Sequence, residues 1–132
     1  MTRKVRSVED ALKSKSPSLG KVQRERGLEF TEAYVMAWLI EMNEVLDLKN
    51  PMSEIQIRLT ACNIVDEFYS LNVADLTLVT KMIMSGRYGD FYERLSMTKI
   101  LTCFREYNEE RMMYASEQSA RKHYDEKAQN KN

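Results

Sequence analysis

Residues 72–111, NVADLTLVTKMIMSGRYGDFYERLSMTKILTCFREYNEER, decide how the chain is read. Val73, Leu76, Val79, Met82 and Ile83 recur at three- and four-residue steps, the spacing that lines one face of a helix. Asn72 offers a cap at the start, and Gly86 supplies the left-handed residue that commonly closes a helix. A linker with Gly86, Gly89 and three aromatics, Tyr88, Phe91 and Tyr92, follows, a composition that specifies a turn. Ser96 then precedes Met97, Ile100, Leu101, Phe104 and Tyr107, a second apolar stripe that fades after Met112 and Met113 into Glu117, Arg121, Lys122 and Glu126. The last helix therefore outruns its core.

Upstream, the same periodicity recurs. Ser53 caps a segment in which Ile55, Leu59, Cys62, Val65 and Tyr69 share a face, widened by Ile64 and Phe68. Tyr34, Val35, Trp38, Leu39, Met42, Val45 and Leu46 predict a helix over 31–47, with Trp38 buried near its middle. Lys49-Asn50-Pro51 ends it, because a residue before proline is biased away from helical geometry. Ser16-Pro17 reads as a cap and first residue of a short basic helix over 17–26, anchored by Leu19 and Val22 and stopped by Gly27. Residues 2–16 read as a loose arm with one helical turn started by Ser7, placing Val8, Ala11 and Leu12 on one side.

The 132 residues are 43% hydrophobic and 30% charged, with four Gly and two Pro, so one core can be filled and little interrupts helices. The expectation is an all-α single domain of about five helices in a bundle-like array with a long C-terminal helix. Residues 1–29 form a basic arm with a short helix, 30–122 the core, and 123–132 a frayed polar tail. No apolar run approaches the ~20 residues that cross a bilayer, and polar sequence follows Met1-Thr2-Arg3-Lys4, so a cytoplasmic protein without membrane contact is expected. Cys62 and Cys103 lie among apolar positions and read as buried reduced thiols.

The side chains offer little chemistry. His123 is the only histidine, and neither cysteine has a second ligand at zinc spacing, which leaves no expected metal. The pairs Glu109-Glu110 and Asp66-Glu67 are adjacent on helices and point in different directions, and scattered serines form no triad. Gly86 and Gly89 frame no nucleotide-binding motif. The reading is a protein that is not an enzyme and takes no cofactor.

Contacts are better supported. Net charge is zero overall but +4 over residues 1–29, −5 over 30–86 and +1 over the rest, so the basic start either touches phosphates or lies against its own acidic core. Lys21, Arg24 and Arg26 on the basic helix, with Arg87, Tyr88 and Arg94 of the linker, are the candidate nucleic-acid contacts, cations beside rings that stack on bases. The alternative is that Tyr88, Phe91 and Tyr92 plug the gap between two helices. Asp75 is placed to meet the linker amides or Arg87, or simply to complement its helix dipole. Met112 and Met113, adaptable side chains beyond the core stripe, suit a protein partner or a second copy of the chain.

Asp75 in one helix, the linker Gly86-Arg87-Tyr88-Gly89-Asp90-Phe91-Tyr92 and a closing Tyr107-x-x-x-Arg111 together resemble small uncharacterised helical proteins of bacterial prophages and conjugative elements. The resemblance covers about residues 72–111. It implies a mobile-element setting, with a DNA-replication accessory as one form, and brings no catalytic residue with it. The expected function is a non-catalytic binding or adaptor protein in that setting; the alternative is a nucleic-acid-binding module.

Overall fold

Most of the helices begin where a short polar side chain accepts from a free amide of the first turn. The computed structural model describes residues 7–89 and 96–129 and places six helices there: α1 (Val8–Lys13), α2 (Leu19–Arg26), α3 (Leu28–Leu46), α4 (Glu54–Glu67), α5 (Val73–Met84) and α6 (Met97–Gln129). The all-α expectation holds, with one helix more than the five counted from periodicity. No described helix is long and apolar enough to cross a membrane.

α1 starts as expected, with the Ser7 hydroxyl accepting from the Asp10 amide. Ala11 of α1 is fully buried, while residues 2–6 of the expected arm lie outside the described residues. α2 starts two residues later than expected, capped by Ser18 in place of Ser16. The reason is tertiary. The Leu19 and Gly20 amides donate to the carbonyls of Leu71 and Tyr69, both at 2.8 Å, so two of the four donors a helix start leaves open are satisfied by another segment. Gly27 then serves two helices. At φ 92° its amide closes α2 on Gln23, and its carbonyl accepts from the Thr31 amide and hydroxyl, which lets α3 begin at Leu28.

α3 and α4 form a hairpin. Asp47 leaves α3 in the left-handed region, and the Asn43 side chain clamps both polar groups of Met52, donating to its carbonyl at 3.0 Å and accepting from its amide at 2.8 Å. A full capping box of Ser53 and Gln56 opens α4. The buried face of α4 matches the expected one only in part, at Ile64, Val65 and Phe68. Ile57, Ala61, Ile64, Val65 and Phe68 point inward, whereas Ile55, Leu59 and Tyr69 are 64%, 49% and 62% exposed. Two apolar stripes run along this helix and periodicity ranks them equally; contact with α6, where the Phe68 and Phe104 rings lie 5.5 Å apart, selects one. Similarly, Val45 is exposed, and Trp38 is only partly buried against the core.

α5 runs through the middle. Every residue from Ala74 to Thr80 is buried, as is Ile83, and α1, α3 and α6 pack around it. Buried Thr77 and Thr80 donate their hydroxyls to the carbonyls of Val73 and Leu76, so neither hydroxyl is left unmet. Gly86, at φ 84°, closes the helix as expected, with Arg87 donating its amide to Met82.

α6 has two parts. Ile100, Leu101, Cys103, Phe104 and Tyr107 are buried, but every residue with described burial from Ser116 to Ala128 is exposed. The helix continues to Gln129. Opposite charges four residues apart, Glu117 with Arg121 and Lys122 with Glu126, favour the helix there without any core.

Candidate functional site

The polar groups that set the direction of α6 converge on Asp75. Its carboxylate is fully buried at the first turn of α5, where it completes a capping box with Asn72. One oxygen accepts from the Asn72 amide at 2.8 Å and the other from the Tyr107 hydroxyl at 2.5 Å. The Arg111 Nε donates to both, at 3.0 and 3.1 Å, from a side chain only 18% exposed. Tyr107 and Arg111 are four apart on α6 and so lie on one face, one turn from each other. Asn72 extends the network by donating its amide nitrogen to the Ala11 carbonyl at 2.9 Å. Burial, then the adjacent Asp75 charge, hold the Tyr107 phenol well above its ordinary range.

This corrects one expectation. Among the described residues Asp75 meets neither Arg87 nor a linker amide; it caps the start of its own helix through Asn72, the alternative reading, and its other partners come from α6. The signal was present as Tyr107-x-x-x-Arg111, but only the fold shows which carboxylate answers it. Three positions that carried the resemblance thus belong to a single network.

Arg87 instead meets Glu110 at 3.0 Å, both half-exposed, and the Tyr88 hydroxyl donates to the Met82 sulfur at 3.4 Å. Burial pushes the Tyr88 phenol up to about 12. This part of the corner is fastened to α5 and α6. Arg94, with Phe91 and Tyr92, lies outside the described residues. A second surface bond, from Arg105 to both carboxylate oxygens of Glu67 at 2.6 and 2.8 Å, ties α6 to α4 and lowers the Glu67 pKa.

The remaining candidates are dispersed. Lys21 stands 4.0 Å from Glu25, Arg24 is exposed, and the Arg26 guanidinium lies 5.0 Å above the Phe30 ring, all on or beside α2, which packs against α3. Met112 and Met113 are 62% and 65% exposed just past Arg111, and Tyr124, which sequence reasoning passed over, is 74% exposed further out. Among the described residues no group of three or more His, Cys, Asp or Glu is arranged to hold a metal. Cys62 and Cys103 are free; burial raises the Cys103 thiol to about 11, and a hydrogen bond with Glu32 raises that of Cys62. Comparison with family models, curated proteins and solved structures gives no match.

Proposed function

We propose that the chain acts without catalysis, as an adaptor whose distal α6 presents Met112, Met113 and Tyr124 to a protein partner or to a second copy. The observation that supports this reading is the exposure of those three side chains, each above 60%, on a helix whose outer turns leave the bundle past Ala115. Flexible methionines re-pack readily against another surface, and Tyr124 continues the exposed surface about three turns farther along α6. The buried Asp75–Tyr107–Arg111 network supports the reading further, because it fixes the base from which the exposed segment projects. The setting we propose is that of a mobile element, as a DNA-replication accessory, on the strength of the resemblance over residues 72–111.

Nuclease-treated affinity purification from the native cell, with sedimentation of the pure chain, tests the reading. Met112→Ser with Met113→Ser is expected to lose the retained partner or the self-association while leaving the melting curve in place. Steady hydrolysis or transfer by the pure protein, abolished by one polar substitution, overturns it. The rival nucleic-acid reading draws on exposed Lys21, Arg24 and Arg26 beside Phe30. It requires an affinity that falls steeply with salt and weakens on charge reversal at Arg24 and Arg26, or at Arg87 and Arg94 of the linker.

A further inference from the structure

The hairpin of α3 and α4 carries a second surface, separate from distal α6. Glu32 of α3 lies close enough to Cys62 of α4 to raise its thiol pKa at one end of the hairpin, and Asn43 clamps Met52 at the other. Between these ends the rows Glu32, Met36, Ile40 and Cys62, Leu59, Ile55 advance by whole helical turns in opposite directions, so they run side by side. Ile40, Leu59 and Ile55 are 43%, 49% and 64% exposed, and partly buried Met36 joins them to the core. The result is an apolar strip spanning two helices.

Its surroundings are mainly acidic, with Arg58 the one cation beside the strip, close enough to Cys62 to act on its thiol. Residues 28–67 hold eight acidic residues against two basic, a net charge of −6. Glu29 and Asp66 extend the two rows by one turn at the Cys62 end, and Glu44 extends the α3 row at the other. Arg58 is the only basic residue within the two helices.

We infer that this strip is the docking site for a basic amphipathic helix, one that sets aliphatic side chains three and four residues apart between Ile40 and Ile55 and directs lysines or arginines at the glutamates around them. Apolar anchors set against the strip supply the affinity of such a complex, and the surrounding charges its orientation and rate of encounter. An acidic or uncharged helix would bring the anchors without the attraction. A nucleic acid would be repelled. The inference is independent of Met112 and Met113, so either surface can fail without the other.

The test uses the full chain and a labelled synthetic helix of about 18 residues, five turns, with leucines on one face and lysines on the other. Fluorescence anisotropy is expected to show saturable binding that weakens with salt, and none for the same helix with glutamates in place of lysines. Ile55→Ser with Leu59→Ser is expected to weaken binding about tenfold or more, as loss of central apolar anchors does. Ile40→Ser reproduces the effect from the opposite helix, and Met112→Ser with Met113→Ser leaves affinity unchanged. Both α4 positions are exposed, so the double variant should keep its circular dichroism melt; if it does not, Ile40→Ser decides. Equal affinity for the strip variants, or equal binding of the glutamate helix, overturns the inference. So does sedimentation of the wild type as a dimer that Ile55→Ser with Leu59→Ser converts to monomer, since a second copy would then own the strip.

Discussion

α5 and the distal half of α6 are helices for opposite reasons. α5 is buried almost all round and closes at both ends, with Asn72 and Asp75 at the start and Gly86 at the finish. Distal α6 touches no core past Ala115, and its support is local, from helix-favouring side chains and charges one turn apart. Tertiary packing normally supplies most helix stability, and an isolated stretch of about 12–15 residues is marginal in water. The comparison teaches that one helical periodicity covers two energetic regimes, and that Asp75, Tyr107 and Arg111 mark the boundary between them.

The sharpest break at that boundary is Asp75→Ala. It strands the Arg111 guanidinium, 18% exposed, and the Tyr107 hydroxyl without their acceptor and removes half of a capping box. Breaking a buried pair from one side costs about 3–5 kcal/mol, and urea unfolding should show a loss of that size. A loss under about 1 kcal/mol would mean that the network does not organise the fold.

The second comparison lies within α4. Ile64→Ala, on the inward face, is expected to cost about 2–5 kcal/mol, whereas Ile55→Ala, on the outward face, should stay within about 0.5 kcal/mol. Similar melting temperatures for the two variants would show that the buried stripe has been assigned to the wrong face.

A smaller effect concerns alkaline pH. The Tyr107 phenol is raised above its ordinary 10.0 by burial and by Asp75, so above that pH the unfolded chain releases a proton that the folded protein keeps. Its stabilisation is complete below pH 10 and declines as pH rises beyond it, with Cys103 and Tyr88 contributing in the same direction. Urea midpoints measured from about pH 8 to about pH 11 should fall, and Tyr107→Phe should fall less steeply while losing about 1.5–3 kcal/mol at neutral pH. An unchanged slope in Tyr107→Phe would separate the phenol from the alkaline loss.

The least effect is expected from ending the chain after Arg121. Residues beyond it are exposed wherever burial is described, so unfolding should move by no more than about 0.5 kcal/mol while helical circular dichroism decreases. A marked fall in stability would show that the distal segment packs on something, in this chain or a second copy.

Periodicity, caps and glycines were sufficient for the helices themselves. Ser7, Ser53 and Asn72 cap where short polar residues precede an apolar run, and Gly27 and Gly86 end helices where a positive φ is needed. They did not place Ser18, because the donors that start α2 are answered by carbonyls some fifty residues away in the chain. Nor did they orient α4, whose two stripes are equivalent until a neighbour covers one. Of the candidate site residues, Met112 and Met113 were legible as a stripe outlasting its core. Lys21, Arg24 and Arg26 were legible as cations, but their separation from Arg87, which Glu110 holds on α6, was not.

Local chemistry alone therefore determined that this chain is helical, where most of its helices begin, and that its last helix is longer than the core it serves. Each of those properties depends on residues within a turn or two of one another. Tertiary structure alone decided which apolar face is inside, and that Asp75 answers Tyr107 and Arg111 across thirty-two and thirty-six residues. A buried charge accepts whichever partners the fold brings within hydrogen-bond reach, and sequence spacing does not encode that reach.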